Sequence, residues 1–103
     1  MSLLVEYTVK EGKASAQIDA LRTFVADLRD IGDEGYNYTA FETDDPTKFI
    51  AVLEFDNDAG KQRFLESEPF TQYREGSQDR FPNPPSTTTI RLVASTRTEA
   101  PTN

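Results

Sequence analysis

Between Lys48 and Phe55 both alternating sets of side chains are apolar, with Phe49, Ala51, Leu53 and Phe55 on one face and Ile50 and Val52 on the other. Successive side chains of a strand point to opposite faces, so a strand of this kind belongs inside a sheet that is covered on both sides. The rest of the chain must supply neighbouring strands, helices for one face and a cover for the second. Residues 3 to 10 alternate with period two, Leu3, Val5, Tyr7 and Val9 against Glu6, Thr8 and Lys10, and read as a half-buried strand. Tyr36 to Thr43 is rich in aromatic and β-branched residues, and the turn cluster Asp44-Asp45-Pro46-Thr47 joins it to the central strand as a hairpin. Thr87 to Ser95 reads as a last strand, Ile90, Leu92 and Ala94 against Arg91 and Val93.

Two stretches repeat at three to four residues instead. Ile18, Leu21, Phe24, Val25, Leu28 and Ile31 form one helical stripe, with Ser15 as the expected N-cap and Asp19, Arg22, Asp27, Arg29 and Asp30 facing solvent. Gly32 and Gly35 stop it and allow left-handed turn geometry. Asn57 caps a second helix, and Ser67-Glu68-Pro69 restarts it, since Ser caps and Pro is tolerated in a first turn. A break near Ser67 follows. Phe64, Leu65, Phe70 and Tyr73 supply the buried side, Gly76-Ser77 weakens the end, and Phe81-Pro82-Asn83-Pro84-Pro85 is a stiff connector.

The order is β-α-β-β-α-β, an α+β ferredoxin-like arrangement: a four-stranded antiparallel sheet with two helices on one face. Right-handed crossovers are expected to place the first and third strands as parallel neighbours in the middle. The uncovered face carries Ile50 and Val52, and a homodimer through the sheet face is the simplest cover. At 103 residues and 36% hydrophobic content the chain has one lean core, which also favours a partner. Residues 1 to 95 form the domain and 96 to 103 a loose polar tail.

Composition removes whole classes of chemistry. There is no Cys and no His, hence no disulfide framework, thiolate metal site, cysteine nucleophile, Ser-His-Asp triad or histidine-ligated haem. A net charge of -7 repels nucleic acid and anionic membrane surfaces. No apolar run approaches the roughly 20 residues of a membrane span, and no basic, apolar signal peptide opens the chain, so the cytoplasm is the expected compartment. Asp44-Asp45 and the pair Asp56 and Asp58 read as turn and capping residues, and no metal is expected.

Val9-Lys10-Glu11-Gly12-Lys13 after the first strand, Gly35-Tyr36 opening the second, Asp45-Pro46-Thr47-Lys48-Phe49 at the hairpin, Glu54 closing the third strand, and Ser67 followed by Phe70 together resemble the antibiotic biosynthesis monooxygenase domain family. The likeness spans roughly residues 1 to 95. It implies a dimeric α/β barrel, two ferredoxin-like units with sheets face to face. Several members of the family oxidise quinol or anthrone-like aromatics with molecular oxygen and neither metal nor flavin. Others degrade haem or isomerise a signalling sugar phosphate. Phe55 stands where the family often has Trp, and Phe64 and Pro69 where it often has His. Those absences set aside the haem and sugar-phosphate branches and leave the cofactor-free oxygenase, in which the electron-rich substrate carries most of the chemistry.

Tyr73, on the second helix, is the candidate catalytic residue, since its hydroxyl can donate to a ketone oxygen or shuttle a proton; it also fits a core tyrosine with its hydroxyl at the rim. Tyr7, Tyr38, Phe55, Phe64 and Phe70 are the candidate substrate-binding residues, suited to a small apolar or aromatic ligand and equally to core packing. Glu6 and Glu54 are acids on apolar strands: buried, either becomes a base near neutral pH; otherwise they pair across strands, Arg91 being the natural partner. Asn37 orients oxygen or substrate, or ends a turn. Two functions follow: a cofactor-independent monooxygenase acting with O2 on a small aromatic or quinol-type compound, or a non-catalytic small-molecule-binding or stress-associated dimeric barrel that has lost the family's His and Trp.

Overall fold

The structure is a computed structural model that describes residues 1–97. Its elements are β1 (Ser2–Thr8), α1 (Ala14–Ile31), β2 (Tyr36–Glu42), β3 (Lys48–Phe55), α2 (Asp58–Glu66), α3 (Glu68–Arg80) and β4 (Ser86–Ile90). The doubly apolar strand sits where its pattern requires: the sheet order is β2-β3-β1-β4, with β3 inside. One alternating set of β3 packs beneath the helices, where Ala51, Leu53 and Phe55 meet Phe24 and Leu28 of α1 and Phe64 of α2. A second cluster joins Phe49 to Tyr7, Val9 and Leu21.

The middle pair differs from expectation. β1 and β3 are neighbours, but antiparallel, in the register Leu3↔Leu53 and Val5↔Ala51. A helical crossover makes parallel only the strands it joins, here β1 and β2, and the β2-β3 hairpin then inserts a reversed strand between them.

The helix boundaries follow local chemistry. Asn57 caps α2 by accepting from the Gly60 amide at 3.0 Å, and the Ser67 hydroxyl caps α3 by accepting from the Phe70 amide at 3.3 Å, so the second helix breaks at Ser67. Gly32 closes α1 at φ 70, the left-handed region favoured by glycine. Gly35 does not adopt that conformation. A Cβ on Gly35 would displace the end of the flexible Arg63 side chain, whereas one on Gly60 would strike the backbone carbonyl of Gly35. Ser15 is not the cap of α1, which begins one residue earlier behind Lys13 without a side-chain cap. Ile31 ends the apolar stripe 51% exposed. α3 runs on through Gly76 and Ser77 to Arg80.

β4 stops at Ile90, short of the expected Ser95. It bonds only to β1, and the register closes at Ser2↔Ile90, where β1 begins, so residues 91–95 have no strand to pair with. Of the expected tail, residues 98–103 lie outside the described residues. The sheet face away from the helices carries Leu4, Ile50 and Val52, half-buried, and Phe41, 49% exposed. No helix among the described residues is long and apolar enough to cross a membrane.

Candidate functional site

Between the sheet and the helices lies a cavity of about 320 Å³, within the size range of small-molecule sites. Tyr7, Tyr38, Phe55, Phe64, Phe70 and Tyr73 all line it. Their convergence follows from register and helix spacing. Tyr7 and Tyr38 share the helix-facing side of the sheet with Leu53 and Phe55, while Phe70 and Tyr73 are three apart on α3 and so occupy one helical face. Phe64, 1% exposed, forms the floor and stands edge-on to Phe55 at 5.7 Å and tilted to Phe70 at 5.0 Å. Phe24 stacks on Tyr73 with ring centroids 4.5 Å apart and planes at 8°, which fixes the direction of the Tyr73 hydroxyl. Phe81, from the connector, adds a further wall against Tyr7 at 4.5 Å. A larger groove of about 690 Å³ runs between α1 and the β2 edge, but its lining mixes Arg22, Arg29 and Glu42 without a convergent polar group.

The polar end of the cavity is organised by a residue that does not line it. Gln17 of α1 is fully buried, and its Nε2 donates to the Tyr7 hydroxyl at 2.7 Å and to the Tyr73 hydroxyl at 2.7 Å. Its Oε1 accepts from Nε of Arg80 at 2.6 Å. Arg80 is seven residues beyond Tyr73 on α3 and therefore on the same face, and its guanidinium lies 5.6 Å from the Tyr73 ring centroid. Gly76 leaves room for that path, since a Cβ there would come within 3.0 Å of Arg80 Nη1. Arg80 Nη2 is buried with no hydrogen-bond partner among the described residues, a costly arrangement for a charged donor.

Gln17 carries a sequence signal that is easy to pass over. It stands four residues before Leu21 and seven before Phe24, a polar residue on an otherwise apolar stripe. A buried amide there must find partners.

Burial holds the Tyr7 hydroxyl far above its ordinary pKa of 10.0, with the neighbouring Tyr73 adding to the effect and Gln17 and Arg80 opposing it. Tyr38 is raised likewise, by burial first and then by Tyr73 and Tyr7. Both are therefore neutral phenols at neutral pH, able to donate a hydrogen bond and unable to act as resident bases.

The candidate acids lie elsewhere. Neither Glu6 nor Glu54 is buried, and both stand on the sheet face opposite the cavity. Glu6 pairs with Lys48 at 3.9 Å, and Glu54 accepts from Asn37 Nδ2 at 3.2 Å; Arg91 forms no ion pair among the described residues. Asn37 thus belongs to that face too. Asp45 accepts from the Thr47 amide and hydroxyl as a turn residue. Among the described residues no three His, Cys, Asp or Glu side chains gather as metal ligands.

The family model described as antibiotic biosynthesis monooxygenase matches residues 1–76. The chain belongs to this family. Solved structures agree in fold. A Nitrosomonas europaea protein named for the same family is 19% identical, with 89% of this chain and 97% of that one covered at a TM-score of 0.78. A Pseudomonas aeruginosa protein is 24% identical, with 89% and 93% covered at 0.75. A Mycobacterium tuberculosis protein is 14% identical, with 92% and 96% covered at 0.78. No curated protein matches the sequence. At these identities the solved structures establish the ferredoxin-like fold, and the family match extends from β1 into α3, past Tyr73 and short of Arg80.

Proposed function

We propose that this family member is a cofactor-independent monooxygenase acting with O2 on a small aromatic or quinol-type compound. The observation that carries the reading is the cavity, walled by Phe55, Phe64 and Phe70 and ended by three tyrosines, two of them anchored on Gln17. Its flat apolar walls suit a fused-ring ligand of roughly two or three rings. Tyr73 donates to the ligand's carbonyl or phenolic oxygen and so stabilises the enolate or phenolate form. Oxygen then adds to the electron-rich ring carbon. The peroxide anion takes up a proton, and the hydroperoxide loses water to leave a carbonyl, so that one CH2 and one O2 become one C=O and one H2O. The protein's share is to orient and desolvate the reactant.

The working unit in this reading is a homodimer, with Leu4, Ile50 and Val52 of the open sheet face covered by a second copy. The second reading, a binding barrel without turnover, is favoured by Phe55, Phe64 and Pro69, which replace groups that relatives use. Oxygen consumption with a panel of anthrones and hydroquinones separates the two. The monooxygenase consumes O2 and releases the carbonyl product; a folded dimer that binds an anthrone and consumes none is a binding protein.

A further inference from the structure

We propose that Gln17 and Arg80 are positioning residues that leave the tyrosine hydroxyl hydrogens at the inner end of the cavity free to donate, so that the site takes its aromatic ligand as a preformed oxyanion, a phenolate or enolate. The proposal rests on the reading of the cavity as an aromatic-binding site and adds the charge state of what it binds.

An arginine has no hydrogen-bond acceptor. Because Arg80 Nε meets the Gln17 side chain at 2.6 Å, Oε1 must face it, and Nε2 must face the tyrosines. Both amide hydrogens are then spent on Tyr7 and Tyr73, each at 2.7 Å. Each of those oxygens accepts from Gln17 and keeps its own hydrogen, free for the other hydroxyls and for a ligand. Besides burial, the groups acting on Tyr7 are Tyr73, Gln17 and Arg80, and those acting on Tyr38 are Tyr73 and Tyr7, with no carboxylate among them. Among the described residues no carboxylate stands in this corner to take a proton, and each tyrosine hydroxyl keeps a hydrogen to donate.

The rest of the lining has the same polarity. Among the described residues the titratable side chains around the cavity are Tyr7, Tyr38, Tyr73, Lys61 and Arg74, with no Asp or Glu, in a chain that has 18 acids against 11 bases. Lys61 is half-buried, Arg74 stands at the exposed rim 5.5 Å from the Phe70 ring centroid, and neither forms an ion pair among the described residues. Arg80 adds a third positive charge behind Gln17. A cavity with donors inside, unpaired cations around it and no base cannot abstract a proton from its ligand. It can favour the molecule that has already given its proton to water.

The test uses 4-nitro-1-naphthol, whose phenolate is coloured, and its O-methyl ether, titrated into the intact protein near neutral pH. The phenolate is expected to bind at least about tenfold more tightly than the ether, and the bound naphthol to show phenolate colour at pH values where the free compound is protonated. Gln17→Met keeps the shape of the side chain and removes the amide; it is expected to lose most of the preference and the colour shift while still binding the ether. Arg80→Met, which frees the Gln17 amide to turn, is expected to do the same, with circular dichroism confirming that each variant is folded. Equal binding of the two probes by the unaltered protein, or a bound naphthol with unshifted ionisation, overturns the oxyanion proposal and leaves the aromatic site standing. A folded Gln17→Met that keeps the preference overturns the role of Gln17. Binding of neither probe overturns the site reading itself.

Discussion

Arg80 reaches back along α3 to donate from Nε to Oε1 of Gln17 at 2.6 Å, joining two residues 63 apart in sequence. That one contact settles which way a buried amide points, and through it the role of two tyrosine hydroxyls. It ties the last turn of α3 to the first turns of α1 at the inner end of the cavity, so the stability of the helix pair and the polarity of the site depend on the same atoms.

The approach of α2 to the start of β2 is close enough to forbid a methyl group. A Cβ on Gly60 would meet the Gly35 carbonyl, which is itself fixed by accepting from the Asp56 amide at 3.0 Å. Backbone cannot yield as a side-chain tip does. Gly60→Ala is expected to destabilise the fold by about 1–3 kcal/mol, read from the midpoint of urea unfolding; an unchanged midpoint contradicts the packing described.

Asp33 gives the fold an acid-sensitive clasp. It takes a two-pronged contact from Arg63, Nε at 2.6 Å and Nη2 at 3.2 Å, and accepts from the Gly35 amide at 2.8 Å. Arg63 first, then the Gly35 amide, holds its carboxyl below the ordinary 3.8. A pKa lowered by folding contributes stability that is present above the unfolded value and lost as the pH falls through the folded one. The unaltered protein should therefore melt above Asp33→Asn near neutrality, with the gap closing as the pH falls below 3.8. A gap that persists in acid shows that the carboxylate charge is not its source.

The open sheet face makes its own prediction. Val52 lies at its centre, opposite Leu4 on one side and Thr39 on the other. Val52→Lys places a charge there without touching the helix-facing core. Sedimentation equilibrium should find a dimer for the unaltered chain and a monomer for the variant, while their helical circular dichroism stays alike. A monomeric unaltered protein at micromolar concentration contradicts the dimer.

How much of this was legible in the sequence depended on range. The doubly apolar pattern of residues 48–55 located the interior strand, and Asn57 and Ser67 marked their helix starts, because each signal acts within a few residues. The direction of β1 against β3 is not legible there, because the crossover rule relates only strands joined through a helix. Nor is the end of β4, whose own alternation continues past the point where β1 can pair with it. In the cavity the aromatic residues stood out by type and spacing, and all six candidates line one space. Gln17 and Arg80 did not, since a polar residue on a helical stripe acquires its meaning from a partner on another helix.

Tyr73→Phe is the most direct test of the central claim that the chemistry sits at the tyrosine end of this cavity. The substitution removes one oxygen and keeps the ring stacked on Phe24 at 4.5 Å. Oxygen consumption and equilibrium binding are measured together, with an anthrone substrate and equal amounts of folded protein. Oxygen consumption by the unaltered protein is expected to fall by at least about a hundredfold in the variant, while the dissociation constant changes by less than about tenfold. Oxygen consumption that survives in Tyr73→Phe contradicts that claim.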